Sequence, residues 1–417
     1  MNCRFCGATL THEFIDLANA PPSNAFLTKE QLSEPEVFYP LKLYVCDSCF
    51  LVQVDEYKKS SEIFDSGYVY FSSFSITWLE HAKKYVEMMI SKFGLNKNHQ
   101  VIEIASNDGY LLQYFNEKAI PCFGIEPTAG TARAARAKGI ETIEAFFGAD
   151  LARQLVLEHR TADVLIGNNV LAHVPDLNDF IAGLKIALKP TGIITMEFPH
   201  LMQLVDNCQF DTIYHEHFSY LSFLTTQSIF KHHQLELFDV EELPTHGGSL
   251  RIFAKHTDDL SRVVSENVTA FLDKETSRGL NTEAYYRNFQ KKADQIKYNL
   301  LDFLIEQQTN HKKVVAYGAA AKGNTLLNYC GIRKDLLAFV VDASPHKQGK
   351  YLPGSHIPVV KEEEIMKSKP DYVLILPWNI KEEIMTQLEY IRAWQGKFAV
   401  LMPSTSEEAV PALKCIY

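Results

Sequence analysis

This sequence of 417 residues lacks long basic runs, apolar stretches of membrane-spanning length and a secretory leader. The formal net charge is -10 at pH 7, whereas a large nucleic-acid surface needs clustered Lys and Arg. No apolar run approaches a transmembrane length of about 20 residues. The start MNCRFCG has neither the basic nor the apolar segment of a signal peptide. We therefore expect a cytoplasmic protein that binds no nucleic acid and no membrane, although a small anionic ligand is compatible with the charge.

Cysteine is scarce, and only four of the eight cysteines occur in pairs. The paired cysteines form two Cys-x-x-Cys knuckles: Cys3, Cys6, Cys46 and Cys49. Four thiolates in two knuckles suit a tetrahedral zinc ion and leave it no open position, so we predict structural Zn²⁺. Free thiols or two disulfides are weaker alternatives, because Cys-x-x-Cys disulfides are mostly redox-active and nothing else indicates secretion.

Strand-like and helix-like segments alternate along the chain, which predicts an α/β fold with mostly parallel sheets covered on both faces. The length is too great for one core. We expect three consecutive domains: a zinc-binding domain at 1–75, a Rossmann-like domain at 76–264 and a second Rossmann-like domain at 265–417. We see no low-complexity segment and no short internal repeat.

A turn of small and acidic residues follows the first strand of the predicted central domain. Its candidate cofactor residues are Glu103, Ala105, Asn107, Asp108 and Gly109. Small side chains let a nucleotide cofactor approach the backbone, and Glu126 at the end of the next strand is placed to reach ribose hydroxyls. The Asp108 carboxylate repels phosphate and suits a cation, which favours S-adenosylmethionine over NAD. A plain strand–turn–helix corner is the alternative reading.

Polar residues also follow the third strand of this domain. Asn168, Asn169 and His173 come directly after an apolar run. The carboxyl ends of parallel strands face the ligand crevice, so we expect these side chains at the cofactor. For His173, a packed or helix-capping role is equally compatible with the sequence.

The densest cluster of ionisable side chains lies at 214–220, with the sequence YHEHFSY. A base, its orienting partner and a phenol are all present there, since an acid beside a histidine can fix the ring's tautomer. The two histidines could instead bind a metal, but no third ligand accompanies them at helical spacing. A solvated surface loop is the simpler alternative to a catalytic cluster.

Further candidates for substrate binding are scattered along the chain. Tyr68, Tyr70 and Ser73 lie just past the zinc segment, where an aromatic packing seam is the alternative. His246, Ser249 and Arg251 belong to an HGGSLR stretch that suits phosphate or is a tight hairpin. The turn at 318–324 opens a helix whose free amides suit an anion, with Lys322 and Asn324 in it and Lys347 in a later loop.

The ordered combination of these motifs resembles the nucleotide-sugar C-methyltransferases that make branched-chain deoxysugars, chiefly the C-3 methylating group. The resemblance covers essentially the whole chain and includes the paired knuckles, EIASNDG, YHEH, HGGSLR, the GAAAKG turn, KQGKYLPG and LPWN. One departure is Ala105, where the family pattern usually has glycine. His215 varies in that pattern, so we assign it no role.

The resemblance implies a zinc domain, a central domain that binds S-adenosylmethionine, and a carboxyl-terminal domain that contributes to binding the sugar nucleotide. The implied substrate is a dTDP- or GDP-linked 4-keto-6-deoxyhexose, methylated at C-3. We expect His217 to be the base, with Glu216 orienting it and Tyr214 or Tyr70 donating to the oxyanion. We expect a monomer or a weak homo-oligomer.

Three other functions compete with this reading. The first is a methyltransferase acting on nucleic acid, which the net charge opposes. The second is an O- or N-methyltransferase on the same sugar nucleotide, and the third is a sugar-nucleotide binding protein without methyl transfer. The sequence does not identify the nucleotide, the configuration at C-3 or the C-3 substituent.

Overall fold

The computed structural model describes residues 1–59, 62, 71–402 and 412–416 of the chain. The predicted site residues Tyr68 and Tyr70 lie outside the described residues. No helix in the described part combines the length and the apolar character that a membrane span requires.

The described strands and helices alternate for most of the chain. In chain order the strands are β1 His12–Ala20, β2 Tyr39–Val45, β3 Val52–Val54, β4 Val101–Ile104, β5 Cys122–Ile125, β6 Thr142–Ile143, β7 Ala162–Asn168, β8 Leu188–Pro199, β9 Ser219–Tyr220, β10 Leu235–Leu243, β11 Ser249–His256, β12 Val314–Tyr317, β13 Val340–Val341, β14 Val359–Val360, β15 Tyr372–Ile375, β16 Lys397–Met402 and β17 Ala412–Ile416. The α-helices are α1 Ile76–Phe93, α2 Leu112–Glu117, α3 Ala129–Ala137, α4 Ala149–Leu157, α5 Leu177–Ala187, α6 Leu201–Asp206, α7 Phe223–His232, α8 Glu266–Arg278, α9 Glu283–Tyr286, α10 Phe289–Thr309, α11 Ala321–Cys330, α12 Glu363–Ser368 and α13 Lys381–Gln387.

The chain forms two compact units, each built from separated stretches of sequence. Unit 1 comprises Met1–Thr11, Val45–Leu201 and Phe218–Tyr285, and unit 2 comprises His12–Tyr44, Met202–His217 and Tyr286–Tyr417. Each unit contains one large sheet flanked by helices, which confirms the predicted α/β class. The boundaries of the three consecutive domains expected from sequence stay a prediction.

In the described residues of unit 1 the large sheet has seven strands in the order β10-β11-β8-β7-β4-β5-β6. Strands β8, β7, β4, β5 and β6 run parallel, whereas β11 is antiparallel to both β8 and β10. The parallel strands are buried on both faces, so they read as apolar runs such as Val101-Ile-Glu-Ile104. Their carboxyl ends therefore share one edge, where a ligand is expected.

Helix α1 covers one face of this sheet. A serine at 75 caps it by accepting the amide N–H of Trp78, and Gly94 ends it in the left-handed conformation with φ +64°. Its buried stripe of Ala82, Tyr85 and Met89 packs into a core with Phe115 of α2 and Phe253 of β11. The sequence pattern of 78–93 predicted this helix.

In the described residues of unit 2 the large sheet has six strands in the order β14-β13-β12-β15-β16-β17. The first five are parallel, and β17 pairs with β16 in the antiparallel direction. Val315, Val341, Val373 and Val400 from four neighbouring strands, with Ile365 from α12, belong to one core. Strand β12 precedes the turn predicted at 318–324, and helix α11 begins inside that turn, at Ala321.

A buried glutamate joins two helices of unit 1 through hydrogen bonds and gives a stability prediction. Glu275 on α8 is fully buried, accepts the backbone N–H groups of Phe223 and Leu224 at the start of α7, and lies 2.6 Å from His200 Nε2. Glu275→Ala leaves these donors buried and unpaired, so we expect the free energy of unfolding to fall by about 3–5 kcal/mol. Urea denaturation measures the change.

Asp273→Ala on the exposed side of the same helix is the matched control. It should stay within about 0.5 kcal/mol of the wild type. Equal unfolding free energies for the wild type and Glu275→Ala would contradict the predicted contribution of the buried glutamate.

Candidate functional site

The four paired cysteines come together in unit 1. Their Sγ atoms all lie within 4.8 Å of one another, and the Cys3–Cys49 and Cys6–Cys46 pairs are each 3.5 Å apart. A tetrahedral zinc ion bound at about 2.3 Å separates its thiolates by about 3.8 Å, which these distances match. The Gln53 amide donates to Cys3 Sγ at 3.3 Å, as a group that orients a metal ligand does. The cluster fits a structural zinc ion.

The predicted cofactor turn lies at the carboxyl end of β4. Ala105, Asn107 and Gly109 have φ values of +55°, +50° and +75°. A Cβ on Gly109 would lie 2.5 Å from Ile140 Cδ1, and a Cβ on Gly124 of β5 would lie 2.1 Å from Ser106 Oγ. The turn therefore needs glycine at these two places, because its backbone packs closely against neighbouring elements.

Ala105 is strained in this turn, which gives a second stability prediction. A left-handed conformation costs a non-glycine residue about 1–2 kcal/mol, part of which glycine's extra entropy in the unfolded chain offsets. We expect Ala105→Gly to raise the free energy of unfolding by about 0.5–1 kcal/mol, measured in urea. Ala137→Gly, at an exposed helical position, should lower it by a similar amount. A loss of stability in Ala105→Gly would contradict the strain argument.

Two buried carboxylates border the turn. Glu126 accepts the backbone N–H groups of Asn107 at 3.0 Å and Thr128 at 2.9 Å, so it ties the end of β5 to the turn. Burial raises the pKa of Glu126, although these amide donors oppose the shift. Burial also raises the pKa of Glu103 in β4 well above its ordinary value, against a hydrogen bond from Tyr110. Glu126 directly follows the second strand of this fold, and its role as a ribose-binding acid stays a prediction.

Several polar atoms around this turn are buried and have no hydrogen-bond partner among the described residues. They are Glu103 Oε2, Ser106 Oγ, Asp108 Oδ1, Asn168 Oδ1 and Nδ2, and Asn169 Oδ1. Buried polar atoms are normally hydrogen-bonded, so a group of them at one strand edge indicates a polar ligand. A nucleoside with an amino-acid arm, such as S-adenosylmethionine, supplies both donors and acceptors, and these residues fit it.

Asp108 is partly neutralised by a lysine that the sequence analysis did not consider. Lys138 Nζ lies 3.2 Å from Asp108 Oδ2 and donates to Ser73 Oγ at 2.7 Å. The repulsion of phosphate by Asp108 is thus weaker than the sequence suggested. Asn107 also accepts the backbone N–H of Ser72, so the segment before α1 lies against the cofactor turn.

The other predicted residues of unit 1 lie at the neighbouring strand ends. Asn169 follows β7, and its Nδ2 lies 3.0 Å from His246 Nε2, in the turn between β10 and β11. Ser249 donates to the backbone oxygen of Thr245 and stabilises that turn. His173 is half-buried in a short 3-10 helix after β7. The HGGSLR stretch is a hairpin turn, and its role in binding substrate stays a prediction.

Arg251 is engaged by carboxylates in a network that the sequence analysis missed. Its Nη2 donates to Glu197 Oε2 at 2.8 Å, and Nη1 donates to Glu241 at 3.3 Å. Glu197 is fully buried on β8 and also contacts His81 Nε2 at 2.9 Å and Thr245 Oγ1 at 2.9 Å. Burial favours a higher pKa for Glu197, but His81 and Arg251 outweigh it and hold the pKa below its ordinary value. The one signal in the sequence was an arginine inside an apolar strand. The position of this arginine opposite Glu197 is visible only in the register of β11 and β8.

The YHEH side chains lie in unit 2, where His215, Glu216 and His217 are buried and Tyr214 is half-buried. His217 Nε2 lies 2.8 Å from the Tyr214 hydroxyl, with ring centroids 4.1 Å apart. Both oxygens of Glu216 accept from Asn24 Nδ2, at 2.8 and 2.9 Å, a partner that the sequence did not indicate. His215 bonds to the backbone oxygen of Pro40, and burial lowers its pKa. A phenol and an imidazole are therefore in direct contact here.

The substrate-binding candidates of unit 2 surround the start of α11. Gly318 leads into this helix with φ +96°, and a Cβ there would lie 2.4 Å from Pro377. Lys322 Nζ donates to Asn379 at 2.7 Å and lies over the Trp378 ring, and burial lowers the pKa of Lys322. Lys347 Nζ donates to the backbone oxygen of Ala319 at 2.9 Å. The helix start thus combines free amides with two lysines, as anion sites do.

One hydrogen bond connects the two groups of residues in unit 2. Thr325 Oγ1 on α11 donates to the backbone oxygen of Ile213 at 2.7 Å. Trp378 Nε1 also donates to Asp211, which is buried and has a raised pKa because of that burial. The segment before the YHEH residues is therefore attached to the same helix that carries Lys322 and Asn324. Asn324 Oδ1 is buried and unpaired among the described residues.

The α/β fold of unit 1 and its four-cysteine cluster agree with an S-adenosylmethionine-dependent methyltransferase that carries a structural zinc site. Family models agree in three places: a zinc binding domain at 3–64, a methyltransferase domain at 78–240 and a C-methyltransferase C-terminal domain at 244–403. The chain is also 32% identical over 401 residues to the C-methyltransferase NovU of Streptomyces niveus, covering 96% of this chain and 95% of that protein. The chain belongs to the sugar C-methyltransferase family that its motifs indicated.

Similar solved structures are more distant. The PH0226 protein of Pyrococcus horikoshii OT3 is 16% identical, with a TM-score of 0.37 over 48% of this chain and 99% of that chain. Magnesium protoporphyrin IX methyltransferase (ChlM) of Synechocystis PCC 6803 with bound SAM is 14% identical, with a TM-score of 0.34 over 46% of this chain and 88% of that chain.

Proposed function

We propose that this enzyme transfers the methyl group of S-adenosylmethionine to C-3 of a dTDP- or GDP-linked 4-keto-6-deoxyhexose. The observation that carries the proposal is the hydrogen bond from Thr325 to Ile213, because it joins an anion-binding helix start to the segment that carries a half-buried phenol and a buried imidazole. A nucleoside diphosphate needs the first feature, and a carbon acid needs the second. We propose a cytoplasmic reaction, where the zinc-site thiols stay reduced.

The proposed chemistry begins at the C-3 proton, which the C-4 ketone acidifies. His217 removes this proton, and Tyr214 is in place to hydrogen-bond the imidazole or the developing enolate oxygen. The C-3 carbon then attacks the methyl group, the bond from sulfur to that methyl breaks, and S-adenosylhomocysteine is released. The cofactor supplies the electrophilic methyl group. His217 passes its proton to solvent, and the net reaction releases one proton.

In this proposal Glu216 supports the base His217 and is itself held by Asn24. Its carboxylate is held by Asn24, so it supplies a fixed negative charge next to His217 in sequence. Such a charge stabilises the imidazolium that forms when His217 takes the proton. Tyr70 is the alternative donor to the oxyanion.

The remaining predicted residues are assigned to the two ligands. The cofactor is bound by the turn residues with Glu126, Asn168, Asn169 and His173. The diphosphate is bound by Lys322, Asn324 and Lys347 at the start of α11. Tyr68, Ser73, His246, Ser249 and Arg251 are proposed to contact the sugar nucleotide, although Arg251 would have to share its guanidinium with Glu197 and Glu241.

Product analysis tests the proposed function. The purified enzyme is incubated with S-adenosylmethionine and the dTDP- or GDP-linked keto sugar, and the product is hydrolysed to the free sugar. We expect mass spectrometry to find one added methylene unit in the sugar and none in the nucleotide. Methylation of the nucleotide, or of tRNA supplied in its place, would contradict the proposal.

A matched variant pair tests the diphosphate site. Lys322→Met removes the charge at the start of α11 while it keeps the length of the side chain. We expect the KM for the sugar nucleotide to rise about 10-fold or more, because a bond to a charged group is lost. Lys334→Met, on the exposed loop after the same helix, should leave KM unchanged. Equal KM values in both variants would show that Lys322 does not bind the diphosphate.

A further inference from the structure

The imidazole of His81 is held by two contacts in unit 1, and the proposed reaction does not use it. Its Nε2 lies 2.9 Å from Glu197 Oε2. Its ring is stacked on Trp78, with centroids 4.9 Å apart and planes 18° apart. The hydrogen bond fixes the rotation of the ring within its plane, and the stack fixes the plane itself. The second ring nitrogen, Nδ1, therefore has a defined direction.

The partners of His81 determine what Nδ1 can bind. The Glu197 carboxylate accepts a hydrogen bond from His81 Nε2, and Arg251 Nη2 lies 3.3 Å from the same ring nitrogen. In the neutral imidazole with its proton on Nε2, Nδ1 presents a lone pair. None of the residues that the structure describes bonds to Nδ1, and 19% of the His81 side chain is exposed. His81 thus offers one accessible acceptor.

A second unpaired acceptor lies close by. The Asn169 Nδ2 group is hydrogen-bonded to His246, whereas its Oδ1 is buried without a partner in the described part of the chain. The Trp78 ring contacts both His81 and His246, with centroids 4.9 and 5.2 Å from the Trp78 centroid. Two acceptors beside one aromatic ring suit a ligand group that is rich in donors, such as an ammonium.

The order of the strands shows which part of the cofactor reaches this place. Glu126, the ribose acid, ends β5 on one side of β4, whereas β7 and β8 lie on the other side. If the ribose is at β5, the methionine end of the cofactor extends across β4 toward β7 and β8. Asn169 follows β7, and its backbone N–H donates to the backbone oxygen of Glu197 on β8 at 2.7 Å. Trp78 also stacks on Tyr110, the residue after the cofactor turn.

We propose that His81 Nδ1 accepts a hydrogen bond from the α-ammonium group of S-adenosylmethionine, with Glu197 as the residue that positions the His81 ring. His81 and Glu197 then form a recognition site for the amino-acid end of the cofactor. The inference depends on S-adenosylmethionine as the cofactor and not on the identity of the sugar.

Two substitutions separate binding from structure. In His81→Gln the side-chain amide nitrogen takes the place of Nε2, so the bond to Glu197 is kept and the Nδ1 acceptor is lost. In His81→Asn the amide oxygen takes the place of Nδ1, so the acceptor is kept and the bond to Glu197 is lost. His159→Asn, an exposed histidine of unit 1, is the control.

Calorimetry with two probes measures the effect without any sugar. S-adenosylhomocysteine carries the α-ammonium, and 5′-methylthioadenosine lacks the amino-acid end. We expect His81→Gln to weaken S-adenosylhomocysteine binding at least about 10-fold and 5′-methylthioadenosine binding less than about 3-fold. His81→Asn should bind S-adenosylhomocysteine more tightly than His81→Gln does.

Three results would overturn the inference. The first is wild-type affinity of His81→Gln for S-adenosylhomocysteine. The second is equal loss for both probes, which would indicate a damaged pocket. The third is weaker binding by His81→Asn than by His81→Gln, which would give His81 a structural role only. Failure of the wild type to bind S-adenosylhomocysteine would instead contradict the methyltransferase assignment itself.

Discussion

His217→Asn is expected to abolish exchange of the C-3 proton of the keto sugar with solvent. In D2O, with S-adenosylhomocysteine in place of the methyl donor, the wild-type enzyme should incorporate deuterium at C-3 because the enolate forms and is reprotonated. A positioned general base contributes about 10²–10⁴-fold, so the variant should lose at least about 100-fold in exchange rate. NMR loss of the C-3 proton signal measures both rates against a sample without enzyme.

The controls for this prediction separate catalysis from binding. Calorimetry with the sugar nucleotide should give His217→Asn an affinity close to that of the wild type. His311→Asn, an exposed histidine of unit 2 with φ +57°, should exchange at the wild-type rate. If His217→Asn exchanges at the wild-type rate and Tyr214→Phe does not exchange, the base is the Tyr214 phenol and not His217.

Removal of zinc is expected to produce the largest loss of stability. Structural zinc sites contribute about 10–16 kcal/mol of apparent binding free energy in small peptides at neutral pH, and this free energy is coupled to folding. Metal analysis should find one zinc ion per chain in the wild type, and a strong chelator should lower Tm and unfold the cysteine segments. The Sγ distances of 3.5 to 4.8 Å at this site support one ion bound by four thiolates.

Single cysteine variants give this prediction its control. Cys46→Ser removes one of the four thiolates and should lower both the zinc content and Tm. Cys122→Ser, outside the cluster, should keep a full complement of zinc. A zinc-free wild-type protein with unchanged Tm and unchanged methyl transfer would show that the cluster has no structural role.

Much of the fold was predictable because its signals are local. The run Val101-Ile-Glu-Ile104 is β4 as predicted, since apolar residues in a short continuous run are typical of a parallel strand. The start of α11 was less accurate: the sequence predicted a turn through Asn324, whereas the helix begins at Ala321. The division into two units made of separated segments has no local signal, since it depends on contacts across the chain.

The candidate site was predictable where its residues are close in sequence. The zinc knuckles could be recognised from their spacing, whereas the cofactor role of the turn at 103–109 and of Glu126 stays a prediction. The network of His81, Glu197 and Arg251 could not, because its members are 116 and 54 residues apart along the chain. Only the antiparallel register of β8 and β11 brings Glu197 opposite Arg251. Asn24, which holds Glu216, is 192 residues away from it.

The position of the new methyl group tests the central claim most directly. The enzyme is given S-adenosylmethionine labelled with 13C in the methyl group together with the keto sugar, and the product is examined by heteronuclear NMR. The account predicts a methyl group bonded to a quaternary C-3, with its protons uncoupled to any ring proton. A methyl group on oxygen or nitrogen of the sugar would contradict it.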